Sequence, residues 1–301
     1  MISICIPVYN FNVSQLIEEL SLQTNKMNVP FEIILIDDCS SEEFKKINES
    51  NCKKHTYIEL EQNVGRAKIR NLFLNYTQYE NLLFLDCDSK IISKDFLSNY
   101  LEALKKESIS VICGGRIYDK AKPGRNNMLR WKYGRMKESQ PFEVRALSPN
   151  KSFMTNNFLI KRKIFEELKF DERVTEYGHE DTLFGYELKK RGISVQHINN
   201  PVLNGDVEEN AEYLVKTEKG ISSLINVLAY TGYDTDFIQD VTILNTYEKL
   251  KSKGLINLVY MVFILLKPLL KFLFVKGYVN LRLFDFYKLG ILIQGFKLSK
   301  V

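Results

Sequence analysis

Among the 301 residues are one tryptophan, three histidines and no pair of cysteines at CxxC spacing. His55, His179 and His197 lack the spacing of a zinc site, and His197 falls inside a strand-like run, where a packed histidine is the usual outcome. There is no GxSxG, no P-loop lysine motif and no GxGxxG after the first apolar run, so elbow-type hydrolases, Walker-type NTPases and dinucleotide binders are set aside. The lone Gly114–Gly115 pair reads as a backbone bend. Cys5, Cys39, Cys52, Cys87 and Cys113 are odd in number and scattered, which fits reduced thiols in a cytosolic protein and excludes a disulfide framework. The opening MISICIPVYN reaches Pro7 with neither a basic start nor a signal-peptide apolar run, so export is not expected. Internal repeats and low-complexity segments are absent as well.

What is present is an ordinary globular composition, 45% hydrophobic and 26% charged, able to bury a sizeable core. The net charge of +5 is unevenly distributed. Residues 251–301 hold nine Lys/Arg and one acid, Asp285, which leaves the first 250 residues slightly acidic. A basic tail points to an anionic partner. Nucleic acid is not expected, because these cations are interleaved with Leu, Ile, Phe and Val rather than gathered in a polar stripe.

Short β-branched runs alternate with helix-period stretches through the first half, the pattern of a mostly parallel sheet covered by helices. The spacing predicts strands at 2–6, 32–37, 56–60, 82–86 and 111–114, with helices near 13–24, 41–50, 66–77 and 94–107. Residues 119–150 have no clean period, carry the tryptophan and eight Lys/Arg, and read as a long functional loop. A strand at 153–160, a helix at 181–191 closed by Gly192, a strand at 193–198 and helices near 207–230 and 237–252 follow. Ligands of such sheets bind beyond the carboxyl ends of the strands. That singles out Asn10, Asp37 and Asp38, and Asp86 and Asp88.

In EIILIDDCS two carboxylates follow a buried strand and can accept hydrogen bonds from ribose hydroxyls or base N–H groups; capping of the helix near Ser41 is the equal alternative. In LLFLDCDSK, Asp86 and Asp88 are alternate residues ending an apolar strand. They can address a divalent cation and its phosphates, since magnesium or manganese takes one or two carboxylates and keeps waters, or they can simply serve a turn. In GHEDTLFGYELKKRG, Glu180 and Asp181 open a helix whose dipole favours negative charge. Such a carboxylate caps the helix, or acts as a general base where it reaches a substrate hydroxyl.

Taken in order, SICIPVYN, EIILIDDCSSE, NVGRAKIRN at 63–71, LFLDCDSKI, TNNFLIKR at 155–162 and GHEDTLFGYELKKRG resemble the family 2 glycosyltransferases over residues 1–205. The resemblance implies the GT-A fold, a Rossmann-like α/β sheet, and an inverting transfer from a nucleotide diphosphate sugar, commonly a UDP-sugar, as a hexosyl- or N-acetylhexosaminyltransferase. It implies that Pro7, Tyr9, Asp38, Asn63 and Arg70 hold the nucleotide, with Asp37 in support and Asp86 on ribose or sugar. Asp88 would bind Mn2+ or Mg2+, Asp181 would take the proton of the acceptor hydroxyl, and Glu180 would orient acceptor or donor. Asn156 and Asn157 would contact the acceptor. Two positions depart from the family pattern: Asn204 stands where a histidine is often found, and Asn156 replaces a small residue.

The expected organisation is a catalytic domain at 1–205, a helical extension at 206–253 and basic, apolar helices at 254–301. In LINLVYMVFILLKPLLKFLFV, residues 255–275, Lys267, Pro268 and Lys271 interrupt an otherwise span-length run. An interfacial helix on an anionic bilayer is therefore expected, with a buried helix or an oligomer interface as the alternative. Peripheral attachment at the cytoplasmic face of the cell membrane would suit a glycan or lipid-linked acceptor. The rivals are a sugar nucleotidyltransferase, which would carry a Gly-rich basic loop where PVYNFN stands, and a catalytically silent glycan- or nucleotide-binding scaffold.

Overall fold

The computed structural model describes residues 1–105, 109–205 and 207–299. The chain forms two compact units, one of Met1–Asp119, Glu138–Thr175 and Glu180–Asp206, the other of Lys120–Lys137, Glu176–His179 and Val207–Val301. The stretches expected as extension and tail thus fall together in the second unit, which also takes in Lys120–Lys137.

Among the described residues all strands lie in the first unit: β1 (Ile2–Val8), β2 (Phe31–Asp37), β3 (Thr56–Glu59), β4 (Asn81–Leu85), β5 (Ser89–Lys90), β6 (Val111–Cys113), β7 (Arg116–Ile117), β8 (Asn157–Lys161), β9 (Val195–His197) and β10 (Val202–Asn204). Seven form a sheet in the order β3-β2-β1-β4-β8-β6-β9, in which only β8 runs antiparallel to its neighbours. The other three form a small sheet, β5-β10-β7. This is the expected α/β, GT-A architecture.

The two-residue period of an extended chain explains the apolar runs. Ile2, Ile4, Ile6 and Val8 of β1 face one core with Leu16, Ile17 and Leu20 of helix Ser14–Thr24 and with Phe96 and Tyr100 of helix Phe96–Leu104. Cys5, Ile34, Ile36 and Phe84 face the opposite core with Ile69, Phe165 and Phe184. Helices cover both faces, so the strands read as continuous hydrophobic runs. Phe84 and Phe158 stack there with centroids 4.9 Å apart, and Phe73 and Phe165 meet Phe84 edge-on. Strand order reverses between β1 and β4, and Asn10 and Asp86 follow the carboxyl ends of these two strands.

The structure departs from the sequence expectations in several places. Residues 119–150 are not one long loop; they hold helices Met128–Tyr133 and Phe142–Ala146 and a π-turn, Gly134–Glu138. Each piece is too short to show a period between Pro123, Gly134 and Pro141. The strand expected at 153–160 opens only at Asn157. Helix 66–77 ends at Leu72 and tightens into a 3-10 turn, Phe73–Asn75. The segment 237–252 breaks at Val241 into Thr235–Asp240 and Thr242–Ser252, the first capped by Asp234, whose carboxylate accepts from the Asp236 and Phe237 amides. The expected end of helix 94–107 lies outside the described residues.

In the second unit, helices Met128–Tyr133, Asn210–Tyr230, Ile256–Val275 and Leu281–Leu298 surround Leu129, Leu214, Phe263, Phe274, Phe284 and Tyr287. Gly290 permits the closest approach, since a Cβ there would sit 2.1 Å from the Phe263 ring. Lys267, Pro268 and Lys271 do not interrupt helix Ile256–Val275, which continues through Pro268.

Phe84→Ala removes the ring shared by Phe73, Phe158 and Phe165 and is expected to lower stability by about 3–5 kcal/mol, read as a reduced urea midpoint.

Candidate active site

Each acidic cluster sits beyond a strand end or at a helix start, and each makes different use of its two carboxylates. Asp37 ends β2 fully buried; its Oδ1 accepts the Ser40 amide at 2.6 Å and its Oδ2 the Tyr57 hydroxyl at 3.0 Å. It therefore fixes the turn after β2. Burial and this carboxylate together push the Tyr57 hydroxyl well above its ordinary range. Asp38 points to the next connection, where its Oδ1 accepts from Val64 N–H (2.7 Å) and its Oδ2 from Gly65 N–H (3.1 Å). Asn63 donates from Nδ2 to the Asp38 carbonyl at 3.1 Å. Burial, then Asp37, raise the Asp38 carboxyl against the two amides. Each Asp38 oxygen keeps a lone pair for a further donor. Neither aspartate caps helix Glu42–Asn51, which starts after Ser41.

Asn10, at a φ of +47°, crosses to the same turn: its amide donates to Ser40 Oγ (2.8 Å) and its Oδ1 accepts from Ser41 N–H (2.8 Å). Asparagine tolerates this left-handed backbone better than most residues. Pro7 lies half-buried near the end of β1, and Tyr9 is 53% exposed beside it.

Arg70, on helix Arg66–Leu72, joins the clusters. Its buried guanidinium donates from Nη2 to Asp86 Oδ1 at 2.8 Å and from Nη1 to the Arg66 carbonyl at 2.9 Å, and lies 3.6 Å from Glu180 Oε1. Arg66 reaches the same Glu180 oxygen at 3.8 Å from a half-exposed position. Burial works against the charge on Asp86, yet Arg70, Arg66 and Arg116 outweigh it and hold this carboxyl below its ordinary range. The sequence had not pointed to Arg66 or Arg116. Arg66 lies one turn before Arg70, and Arg116 follows the Gly114–Gly115 bend on β7.

That bend is tight. Gly115 has a φ of +89°, and a Cβ on Gly114 would come within 2.6 Å of Asn157 Nδ2, the Asn200 carbonyl and the Tyr100 hydroxyl. The same neighbours consume the Asn157 amide: Oδ1 accepts from Tyr100 (2.6 Å), and Nδ2 donates to the Gly115 and Asn200 carbonyls, both at 2.9 Å. Asn157, fully buried, is thus spent inside the fold and not offered to an acceptor. Asn156 keeps a buried Oδ1 that meets no hydrogen-bond donor, and its carbonyl accepts the Asp86 amide at 3.1 Å.

Glu180 and Asp181 open helix Glu180–Lys190. Glu180 is buried against Arg70, whereas Asp181 is half-buried, its Oδ1 accepting from Thr182 N–H at 2.7 Å. Burial, then the Glu180 carboxylate, push the Asp181 carboxyl up to about 6, against the Thr182 amide and Arg116. A carboxylate so placed is ionised at neutral pH and basic enough to accept a proton.

Asp88 lies in the turn from β4 to β5 beside a cavity of about 240 Å³ lined by Phe11, Asn12, Gln15 and Lys90. Its carbonyl accepts the Gly205 amide at 3.0 Å, and β5–β10 pairing sets Asn204 opposite Ser89. Among the described residues no three His, Cys, Asp or Glu side chains converge. One carboxylate, a neighbouring amide oxygen and substrate phosphates still suit the hard, partly hydrated cations Mg2+ and Mn2+. His197 is no ligand: its Nδ1 faces Arg145 Nη1 at 2.7 Å, its Nε2 donates to the Pro149 carbonyl at 2.8 Å, and burial lowers it to about 4. All five cysteines are free thiols.

The chain is similar to known proteins in sequence and in fold. The glycosyltransferase YfnE of Bacillus subtilis is 25% identical over 289 residues, covering 76% of this chain and 74% of its own. The chondroitin synthase of Escherichia coli is 25% identical over 227 residues, 64% of this chain but 32% of that longer protein. Among solved structures, the mannosyltransferase PcManGT of Pyrobaculum calidifontis, in complex with GDP-Man and Mn2+, shares the fold with a TM-score of 0.63 at 14% identity, over 99% of this chain and 87% of its own. Glucosyl-3-phosphoglycerate synthase of Mycobacterium tuberculosis, with Mn2+, UDP and glucosyl-3-phosphoglycerate, gives 0.53 at 17% identity, over 75% and 79%. The family model described as Glycosyl transferase family 2 matches residues 3–169, more than half of the chain. On that match the chain belongs to glycosyl transferase family 2.

Proposed function

We propose that this glycosyltransferase transfers a hexosyl or N-acetylhexosaminyl group, with inversion, from a UDP-sugar to a hydroxyl of a glycan or lipid-linked acceptor. The observation that carries the reading is geometric: Arg70 ties Asp86 at the end of β4 to Glu180, and Asp181 follows Glu180 at the same helix start. Asp38, Asn63 and the backbone around Val64 and Gly65 form the nucleoside end, with Tyr9 beside it and Asp37 bracing the turn. Asp86 takes the ribose or sugar, and half-exposed Arg66 offers a cation to the diphosphate.

In the reaction Asp181 accepts the proton of the acceptor hydroxyl as its oxygen attacks the anomeric carbon. The bond from that carbon to the diphosphate oxygen breaks on the opposite face, and the nucleoside diphosphate leaves with the electron pair. One in-line displacement inverts the configuration. A divalent cation held by Asp88 and the diphosphate would neutralise charge on the leaving group as a Lewis acid. UDP as the donor nucleotide is supported by the UDP complex of the synthase that shares the fold, while the GDP-Man complex of the mannosyltransferase names its rival.

The test is nucleotide diphosphate release from a panel of UDP- and GDP-sugars with Mn2+ or Mg2+, with and without glycan and lipid-linked acceptors. Turnover of a UDP-sugar is expected; release from no donor would contradict the reading. Asp181→Asn is expected to lower transfer by about 10²–10⁴-fold while calorimetric donor binding stays near wild type. Wild-type transfer in that variant would remove Asp181 from the mechanism. The pH dependence has a definite sign. A base works only when ionised, so kcat/KM should be level above about 6 and fall tenfold per unit as pH drops below it, through protonation of Asp181.

A further inference from the structure

Helix Ile256–Val275 is strongly apolar by composition, with a mean hydropathy of 2.2, yet most of it is not buried. Its two sides differ. Phe263, Leu270 and Phe274 are buried in the second unit's core, whereas Leu258, Met261, Val262, Leu265, Leu269 and Phe272 are exposed, Leu265 by 80%. Leu258, Val262, Leu265, Leu269 and Phe272 recur at intervals of four and three residues with Met261 beside them, so they form one continuous stripe along the helix, while Ile264, also exposed, lies to its side.

The charges that seemed to interrupt this run do not reach the stripe. Lys267 donates to Gln294 Oε1 at 2.9 Å, and Lys271 lies 3.9 Å from Glu218 Oε1, both on the side turned to the neighbouring helices. Cations flank the stripe at its ends instead, Lys249, Lys251 and Lys253 before it and Lys276 and Arg282 after it. The unit as a whole holds nineteen Lys/Arg against ten Asp/Glu. Water-exposed apolar patches of this extent mark an interaction surface. An apolar stripe with basic ends in a basic unit is complementary to acyl chains beneath anionic headgroups.

We propose that this stripe embeds in the surface of an anionic bilayer, with the helix lying along the membrane plane rather than across it. The opposite face excludes a span. It is packed on helices Asn210–Tyr230 and Leu281–Leu298, which carry the Tyr287–Glu218 hydrogen bond and the Lys271 and Lys267 partners. Crossing the bilayer would strip those polar groups of their partners or drag them into hydrocarbon. The proposal does not depend on the identity of donor or acceptor, and its test is read without catalysis.

The full chain is sedimented with vesicles of phosphatidylcholine alone and of phosphatidylcholine mixed with phosphatidylglycerol. It should bind the mixed vesicles, more weakly as salt rises, and the neutral ones poorly. Leu265→Glu with Leu269→Glu, both at exposed positions, should weaken binding on the order of tenfold or more, with unchanged circular dichroism. Should that pair misfold, Lys251→Glu with Lys253→Glu provides the second reading, a selective loss of binding to the anionic vesicles. Failure of the wild type to bind, or equal binding by either folded variant pair, overturns the proposal. So does a wild-type dimer in analytical ultracentrifugation that Leu265→Glu with Leu269→Glu dissolves while vesicles recover no protein, because a second copy would then cover the stripe.

Discussion

One buried cation organises the first unit's chemistry. The Arg70 guanidinium, taken out of water between Asp86 at 2.8 Å and Glu180 at 3.6 Å, must be paired to be tolerated there. Its two partners lie at the end of β4 and at the start of helix Glu180–Lys190. The pairing therefore fixes where the sheet's carboxyl edge meets the helix that carries Asp181. Loss of either carboxylate would leave a buried charge half-compensated, so two clusters far apart in sequence are tied together through one guanidinium.

Different neighbours set the carboxylates apart. Asp86, ringed by Arg70, Arg66 and Arg116, is held ionised below its ordinary range, while Asp181, buried beside Glu180, rises to about 6. Environments that drive carboxyl groups apart in this way let one site hold a fixed anion beside a group able to take up a proton, as the proposed mechanism requires. Asp37 and Asp38 show a simpler division. As adjacent residues at a strand end they face different neighbours, so one braces Ser40 and Tyr57 while the other receives the Val64 and Gly65 amides.

Much of this was legible before any coordinates. The sheet was readable because both its faces are buried, which writes ISICIPV, EIILID and NLLFL as unbroken apolar runs, and the acids stand out where those runs stop. What could not be read depends on pairs distant in sequence. Nothing near Asn157 announces that Tyr100, Gly115 and Asn200 consume its amide, and nothing near Arg116 announces the carboxylates that feel its charge. The helices within 119–150 escaped because five- and six-residue pieces carry too little period. Lys267 and Lys271 break the run only when it is read linearly: in the helix they fall on the side of Gln294 and Glu218, which the sequence does not show.

The account rests on a single displacement at the anomeric carbon, with Asp181 as base on one face and the diphosphate leaving from the other. Proton NMR of the product formed from a donor of known anomeric configuration tests this most directly. An α-linked nucleotide sugar should yield a β-glycoside from the first turnovers onward. A product that keeps the α configuration would contradict the account, because no arrangement of one base and one in-line departure can produce it.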